Sequence, residues 1–351
     1  MSAFDHWWNS WANKQDNLIV IICGSAAAWM IRHIVNSKGG LHNRITQRIK
    51  LNPFTIAETA KFLAVKNIKL GHFQIIQLYM ALGGTAAYLK LLKKGESTAQ
   101  AIDRLCFSPG GPLVDEFENL YQSLFDNSAA YIDVIKLLAK NTSGLTRSEI
   151  ATSLKYSSGG GLSNILNELE ASGFIASYIP YGQTVKNILY KVNDEYSLFY
   201  LKFMENRTRE GIESWHKISA KPTWKSWSGL AFERICLKHI DKIKEALGLR
   251  VIHTQSSSWK SAGKTGNGTQ IDLLIERADF IINLCEIKFS EAVFTIDKKY
   301  ANELRNKKAI FKQQTKTNKT VLVTMITSFG VTHNENYMEL IENEIKIEDL
   351  F

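Results

Sequence analysis

Only four cysteines occur in the 351 residues, Cys23, Cys106, Cys236 and Cys285, and no two of them form a CxxC pair. That spacing excludes a zinc ribbon and a disulfide framework, and the mostly apolar surroundings suit buried, reduced thiols. No apolar run reaches the roughly 20 residues that cross a bilayer. The longest, from Leu18 to Ile31, is broken by Gly24 and Ser25. The N-terminus, with Phe4, His6, Trp7 and Trp8, lacks the basic stretch and apolar core of a signal peptide. Repeats and low-complexity tracts are also missing. These absences lead to the expectation of a cytoplasmic chain with no membrane segment. What is present is a 45% apolar composition and 43 basic against 34 acidic residues, a net charge of +9. At about 100–200 residues per domain, the length predicts two or three domains. The positive excess is modest and says little about a polyanionic partner by itself.

Three stretches of different pattern follow one another, and the expected domains are 1–126, 127–220 and 221–351. Phe4, Trp7, Trp8 and Trp11 recur at helical spacing over residues 4–14. The segment from Asn17 to Cys23 reads as a strand apolar on both faces, the kind that belongs inside a parallel sheet. Only one such strand precedes a long helical region (55–66, 72–81, 85–94, 98–105 and 114–126), so the chain reads as starting partway through an α/β domain. Thr55 and Glu58 predict a capping box. The second stretch predicts helices at 129–140, 146–154 and 159–172, then strands near 174–180 and 186–192, with a second capping box at Thr146 and Glu149. This is the layout of a winged helix-turn-helix. The third predicts helix 228–246, strand 250–254, a Ser/Gly/Lys-rich loop 256–268, strands 270–276 and 280–288, helix 296–311 and strand 320–326. That is an αβββαβ order.

The residues with the sharpest chemistry lie in this last stretch. Asp272 sits on one predicted strand, Glu286 and Lys288 on the next, and strand alternation puts Glu286 and Lys288 on the same face, with Ile287 toward the core. Two carboxylates and a main-chain carbonyl suit a hard divalent cation, and the lysine can orient a water and steady a phosphate in transition. Taken alone, a Glu-x-Lys triplet reads equally well as a cross-strand salt bridge. The Asp-x13-Glu-x-Lys spacing, the element order and Glu233 in the preceding helix together resemble the PD-(D/E)XK nuclease superfamily. That resemblance implies a restriction-endonuclease-like domain with catalytic Asp272, Glu286, Lys288 and Glu233, a Mg²⁺ ion on Asp272 and Glu286, and DNA as substrate. Many proteins of that fold no longer cleave.

Two features point elsewhere and fail. Gly263-Lys264-Thr265 lacks the glycine five residues earlier that a phosphate-binding loop needs, since position 258 is Ser, and it leads into a strand. The third helix of the winged stretch carries Asn164 and Asn167 but no Lys or Arg, and Glu168 and Glu170 would repel phosphate. An interdomain packing module is therefore favoured there over a DNA reader, and any DNA contact moves to the C-terminal stretch, where Lys260, Lys264, Lys298 and Lys299 lie.

A second resemblance covers essentially the whole chain. The Asn17–Ser25 strand, the Asn43-to-Phe54 segment with Arg44, Arg48 and Pro53, and the later Tyr79, Gly83, Gly84 and Tyr88 are similar to the back half of the prokaryotic AAA-like (STAND-related, archaeal-type) ATPases. Proteins of that family carry a helical lid, a winged helix and a C-terminal nuclease-like domain. The resemblance implies an α/β plus α+β multidomain protein with a partial P-loop ATPase core. It gives Ser25 the place of sensor 1 and Arg44 that of an arginine finger. The family's proline after Gly84 is replaced by Thr85. Walker A and Walker B segments, which hold ATP and Mg²⁺ in full-length relatives, do not occur here, so the chain reads as a truncated or split family member. The expected outcome of an ATPase assay on it is no turnover, and saturable turnover abolished by Arg44→Ala would overturn that. The alternatives are a Mg²⁺-dependent DNA endonuclease working without nucleotide and a non-catalytic interaction protein. DNA and a second copy of the chain are the partners left open.

Overall fold

The computed structural model describes residues 2–24, 30, 45–156, 160–205, 214–261 and 269–351. It is mixed α/β, with two separate sheets, and among the described residues no helix is long and apolar enough to cross a membrane. The contacts divide the chain into two compact units, neither continuous in sequence. The first comprises residues 1–52, 116–177 and 190–194, and the second residues 53–115, 178–189 and 195–351.

In the first unit, helices span Glu116–Leu124, Ser128–Lys140, Arg147–Ser153 and Gly161–Ala171. Short strands β1 (Leu145–Thr146), β2 (Ile175–Tyr178) and β3 (Leu189–Val192) form a sheet of order β1-β3-β2. The capping box expected at Thr146 forms, its side chain taking the Glu149 N–H. Tyr121, Phe125 and Phe174 pack together, and Tyr131 stacks on Phe125 with ring centroids 4.0 Å apart. Glu168 accepts the Tyr131 hydroxyl proton, and Glu170 accepts the Ser177 N–H at 2.9 Å. These two acids bond within their own unit.

The strand expected over 17–23 does not form. Residues 18–24 have no regular secondary structure, Ile19 and Ile21 are 86% and 85% exposed, and Cys23 is exposed rather than buried. A strand needs a ladder, and no other strand lies among the described residues of 1–52. The parallel sheet of a partial P-loop core is therefore not present in the described part of this segment. Phe4, Trp7 and Trp11 do share one side of the helix Ser2–Ser10 and its continuation, with centroids 5.5 and 5.9 Å apart. Ser25 and Arg44 lie outside the described residues.

The second unit joins residues 53–115 to the C-terminal sheet. Thr55 caps the helix Ile56–Val65 through the expected box with Glu58, and the helix His72–Leu82 ends at Gly83, whose φ is +63°. The next segment closes onto the first: Phe54 N–H donates to the Gly84 carbonyl at 2.8 Å and the Tyr79 hydroxyl donates to the Phe54 carbonyl at 2.8 Å. The helix expected over 228–246 is two helices, Pro222–Lys238 and Ile240–Ala246, broken at His239. That imidazole is buried, with Nδ1 facing the Ile235 carbonyl at 2.7 Å and Nε2 accepting the Ile56 N–H at 3.0 Å. An accepting Nε2 requires a neutral ring, and burial correspondingly pulls its pKa down.

The large sheet has order β4-β5-β6-β7-β8, with β4 Thr254–Lys260, β5 Gln270–Arg277, β6 Ile281–Lys288, β7 Thr320–Thr327 and β8 Asn343–Lys346. β4, β5 and β6 run antiparallel in turn, and β7 and β8 continue parallel to β6. The strand expected at 250–254 is displaced into the expected loop. Val251 is exposed, whereas Trp259 pairs with Ile271 and is buried, so the tryptophan rather than the β-branched pair fixes β4. β6 and β7 are buried on both faces, as covered central strands are. The helix Lys298–Thr315, capped by Asp297, lays Leu304 and Phe311 on the sheet, with Phe311 meeting Ile282, Leu284 and Trp259.

Candidate functional site

Continuing the β5–β6 register by one residue from the Leu273–Cys285 pair sets Asp272 directly across from Glu286. Opposed residues of an antiparallel pair share a face, so both carboxylates and Lys288, two residues on, look to the same side. Ile287 points the other way and is buried, as expected, although the sheet is covered on both sides there. Glu233 arrives from the helix Pro222–Lys238, which turns Ala231, Phe232, Ile235 and Cys236 into the core. Its carboxyl is pushed up to about 7, first by burial and then by the charge of Asp272, with Glu286 adding and Lys288 and Arg234 opposing. Glu233 thus feels the charges of all three of the other predicted site residues, and the strand register sets Asp272, Glu286 and Lys288 on one face.

Three further residues belong to this cluster and were not marked from the sequence. Lys307 Nζ meets Glu286 Oε1 at 2.6 Å, and the Tyr300 hydroxyl donates to Glu286 Oε2 at 3.0 Å. Gln270 Nε2 donates to Asp272 Oδ1 at 2.6 Å. Lys288 Nζ lies 5.0 Å from the centre of the Tyr300 ring, so it faces an aromatic surface. Burial and the neighbouring Glu286 push the Tyr300 hydroxyl far above its ordinary pKa, which keeps it a donor. The signal for Tyr300 and Lys307 was available: with Leu304 and Phe311 they recur at spacings of four, three and four, one face of a helix. The step not readable from sequence was which end of the sheet that face would cover.

As a seat for a divalent cation, the donor chemistry fits: Asp272, Glu286 and Glu233 are hard oxygen ligands, and Glu233 is raised first by burial and then by the Asp272 charge. It is not a ready-made cage. Among the described residues no three His, Cys, Asp or Glu side chains converge closely enough to hold a metal, and each oxygen of Glu286 already has a partner. Cys236 and Cys285 lie buried with their thiols pushed well above the ordinary range, so neither is a nucleophile or ligand at neutral pH. The Gly263–Thr265 segment lies outside the described residues, and Ser258 is part of β4. Compared with protein-family models, curated proteins and solved structures, the chain matches none of them.

Proposed function

We propose that the second unit carries a phosphodiester-cleaving site of the restriction-endonuclease-like type that acts on DNA. The observation that carries the reading is the placement of Asp272, Glu286 and Lys288 on one face by the β5–β6 register, with Glu233 near enough to feel their charges. Asp272 and Glu286 are the residues that would hold a Mg²⁺ ion, which, when bound, polarises the phosphoryl group and acidifies a water. Lys288 orients that water and offsets charge on the phosphate. Glu233, with a pKa of about 7, exchanges its proton near neutral pH and so can take one from the water or return one to the leaving oxygen. Lys298 and Lys299, exposed at the start of the helix Lys298–Thr315, supply charge for the DNA backbone beside Lys260 at the end of β4.

The test is incubation of supercoiled plasmid with the full chain in Mg²⁺ or Mn²⁺, beside Asp272→Ala and Lys288→Ala. Nicking that falls at least about tenfold in both variants supports the reading. Equal behaviour of the three proteins removes it.

A second reading is membership of the AAA-like ATPases with winged helix and nuclease-like domain. What favours it is that two of the segments carrying the resemblance, Pro53-Phe54 and Gly83-Gly84, are joined through the Phe54–Gly84 hydrogen bond. In this reading ATP belongs to the full-length relatives, and a second copy of the chain is the partner left to this one. Sedimentation of the purified chain tests that self-association, and a monomer at all concentrations removes it.

A further inference from the structure

We propose that Lys307 is a resident cation of the Glu286 carboxylate, one that a divalent metal must displace, so that metal loading of the site is gated by withdrawal of this side chain. The inference rests on the nuclease-type reading and names the control of that same site. Glu286 is 5% exposed and both of its oxygens are engaged, Oε1 by the Lys307 ammonium at 2.6 Å and Oε2 by the Tyr300 hydroxyl at 3.0 Å. The two donors come from one helix face, seven residues apart, and Leu304 between them is buried in the same face. The pair is therefore placed by the packing of a whole helix.

Lys307 differs from Lys288 in what it touches. Lys288 lies over the Tyr300 ring, whereas Lys307 bonds the carboxylate itself. A cation approaching Glu286 meets a full positive charge within a few ångströms in a part-buried place, where water screens poorly. Side chain and metal accordingly compete for one carboxylate. Among the described residues no cation is bonded to Asp272, whose Oδ1 accepts from the neutral Gln270 amide at 2.6 Å. The competition is local to the Glu286 half of the site.

Lysine suits such a gate. Its ammonium is a point charge on a flexible four-carbon stem, able to swing away without disturbing the helix. The Lys307 side chain is 24% exposed, so part of it already meets solvent. A DNA phosphate offers the displaced ammonium an alternative anionic partner, which ties loading to the presence of substrate.

The experiment measures Mn²⁺ binding to the full chain by electron paramagnetic resonance of free Mn²⁺, without DNA. The proteins are the wild type, Lys307→Met, Lys307→Arg and the double variant Lys307→Met with Asp272→Asn, each checked for a wild-type circular dichroism spectrum and melting transition. Lys307→Gln replaces Lys307→Met if the latter does not fold. The expected result is one Mn²⁺ bound about tenfold or more tightly by Lys307→Met than by wild type. Lys307→Arg, which keeps the charge, stays at the wild-type affinity, and the double variant loses the gain. Equal affinity of wild type and Lys307→Met overturns the proposal, as does a gain that survives Asp272→Asn. The plasmid assay on the same proteins separates the two ideas: affinities that change as expected, with no cleavage by any protein, retain the gate and remove the nuclease reading.

Discussion

A Gly84→Ala variant is expected to melt about 10 °C or more below the wild type, or to fail to fold, because its added methyl group has nowhere to go. A Cβ built at Gly84 would stand 1.9 Å from the Phe54 carbonyl oxygen and 2.7 Å from the Phe54 C and N atoms. All three are main-chain atoms, so no side-chain rotation relieves the clash. The Pro53-Phe54 segment must retreat. In doing so it gives up the Phe54–Gly84 hydrogen bond at 2.8 Å and the Tyr79–Phe54 bond at 2.8 Å, and it pulls the Phe54 ring from Phe62. Two hydrogen bonds at about 1 kcal/mol each and displaced core packing at about 1–3 kcal/mol sum to about 4 kcal/mol. That is a large part of a total stability of about 5–15 kcal/mol, and about 3 °C per kcal/mol for a unit of this size gives the expected shift. Gly229→Ala is the control: in the helix Pro222–Lys238 its Cβ meets nothing within 4 Å, so alanine's better helix propensity should raise stability by up to about 1 kcal/mol. A wild-type melting point for Gly84→Ala would show that the Phe54–Gly84 approach is looser than described.

The same contact shows what a sequence can and cannot convey. The pairing of Thr55 with Glu58, and of Thr146 with Glu149, is local chemistry, and both helix starts lie where the residues place them. The three helices and two strands of residues 128–192 were also legible, since each has its own period and its own turn. Asn17–Cys23 was not, because a run of β-branched residues is a strand only when another strand receives it; here Ile19 and Ile21 face solvent. The break at His239 was hidden for a similar reason: the apolar pattern continues through it, and the bend is fixed by an acceptor for the Ile56 N–H from 183 residues away in the chain. At the candidate site, alternation and spacing were enough to place Asp272, Glu286 and Lys288 on one face. Helical spacing put Tyr300 and Lys307 on one face, but that this face meets Glu286 depends on how the helix lies across the sheet.

Glu233→Gln is expected to stabilise the protein above neutral pH by about 3 kcal/mol while impairing the proposed chemistry. The carboxyl has a pKa of about 7 in the folded chain against 4.5 as its ordinary value. A raised acid pKa means that the folded state holds the proton more tightly than the unfolded state. Glu233 therefore costs nothing below about pH 4.5; stability falls as pH rises from there to about 7, where the unfolded chain has released the proton and the folded chain still holds it, and levels off above 7. The gap of about 2.5 units at 1.36 kcal/mol each gives about 3 kcal/mol, fully expressed by about pH 8. Asp272 and Glu286 add to the penalty through their charges, and Lys288 and Arg234 reduce it. Glutamine keeps the shape and cannot ionise, so the two proteins should have matching urea midpoints near pH 4.5 and diverge steadily toward pH 8, measured in chelator to keep metals away. A difference that stays constant across this range would mean that Glu233 ionises normally. Stability forgone at a cluster of like charges is what a site pays when proton transfer or cation binding, rather than packing, has selected its residues. The reading accordingly requires both halves of the result from one substitution: a firmer fold at pH 8 and slower cleavage of plasmid DNA.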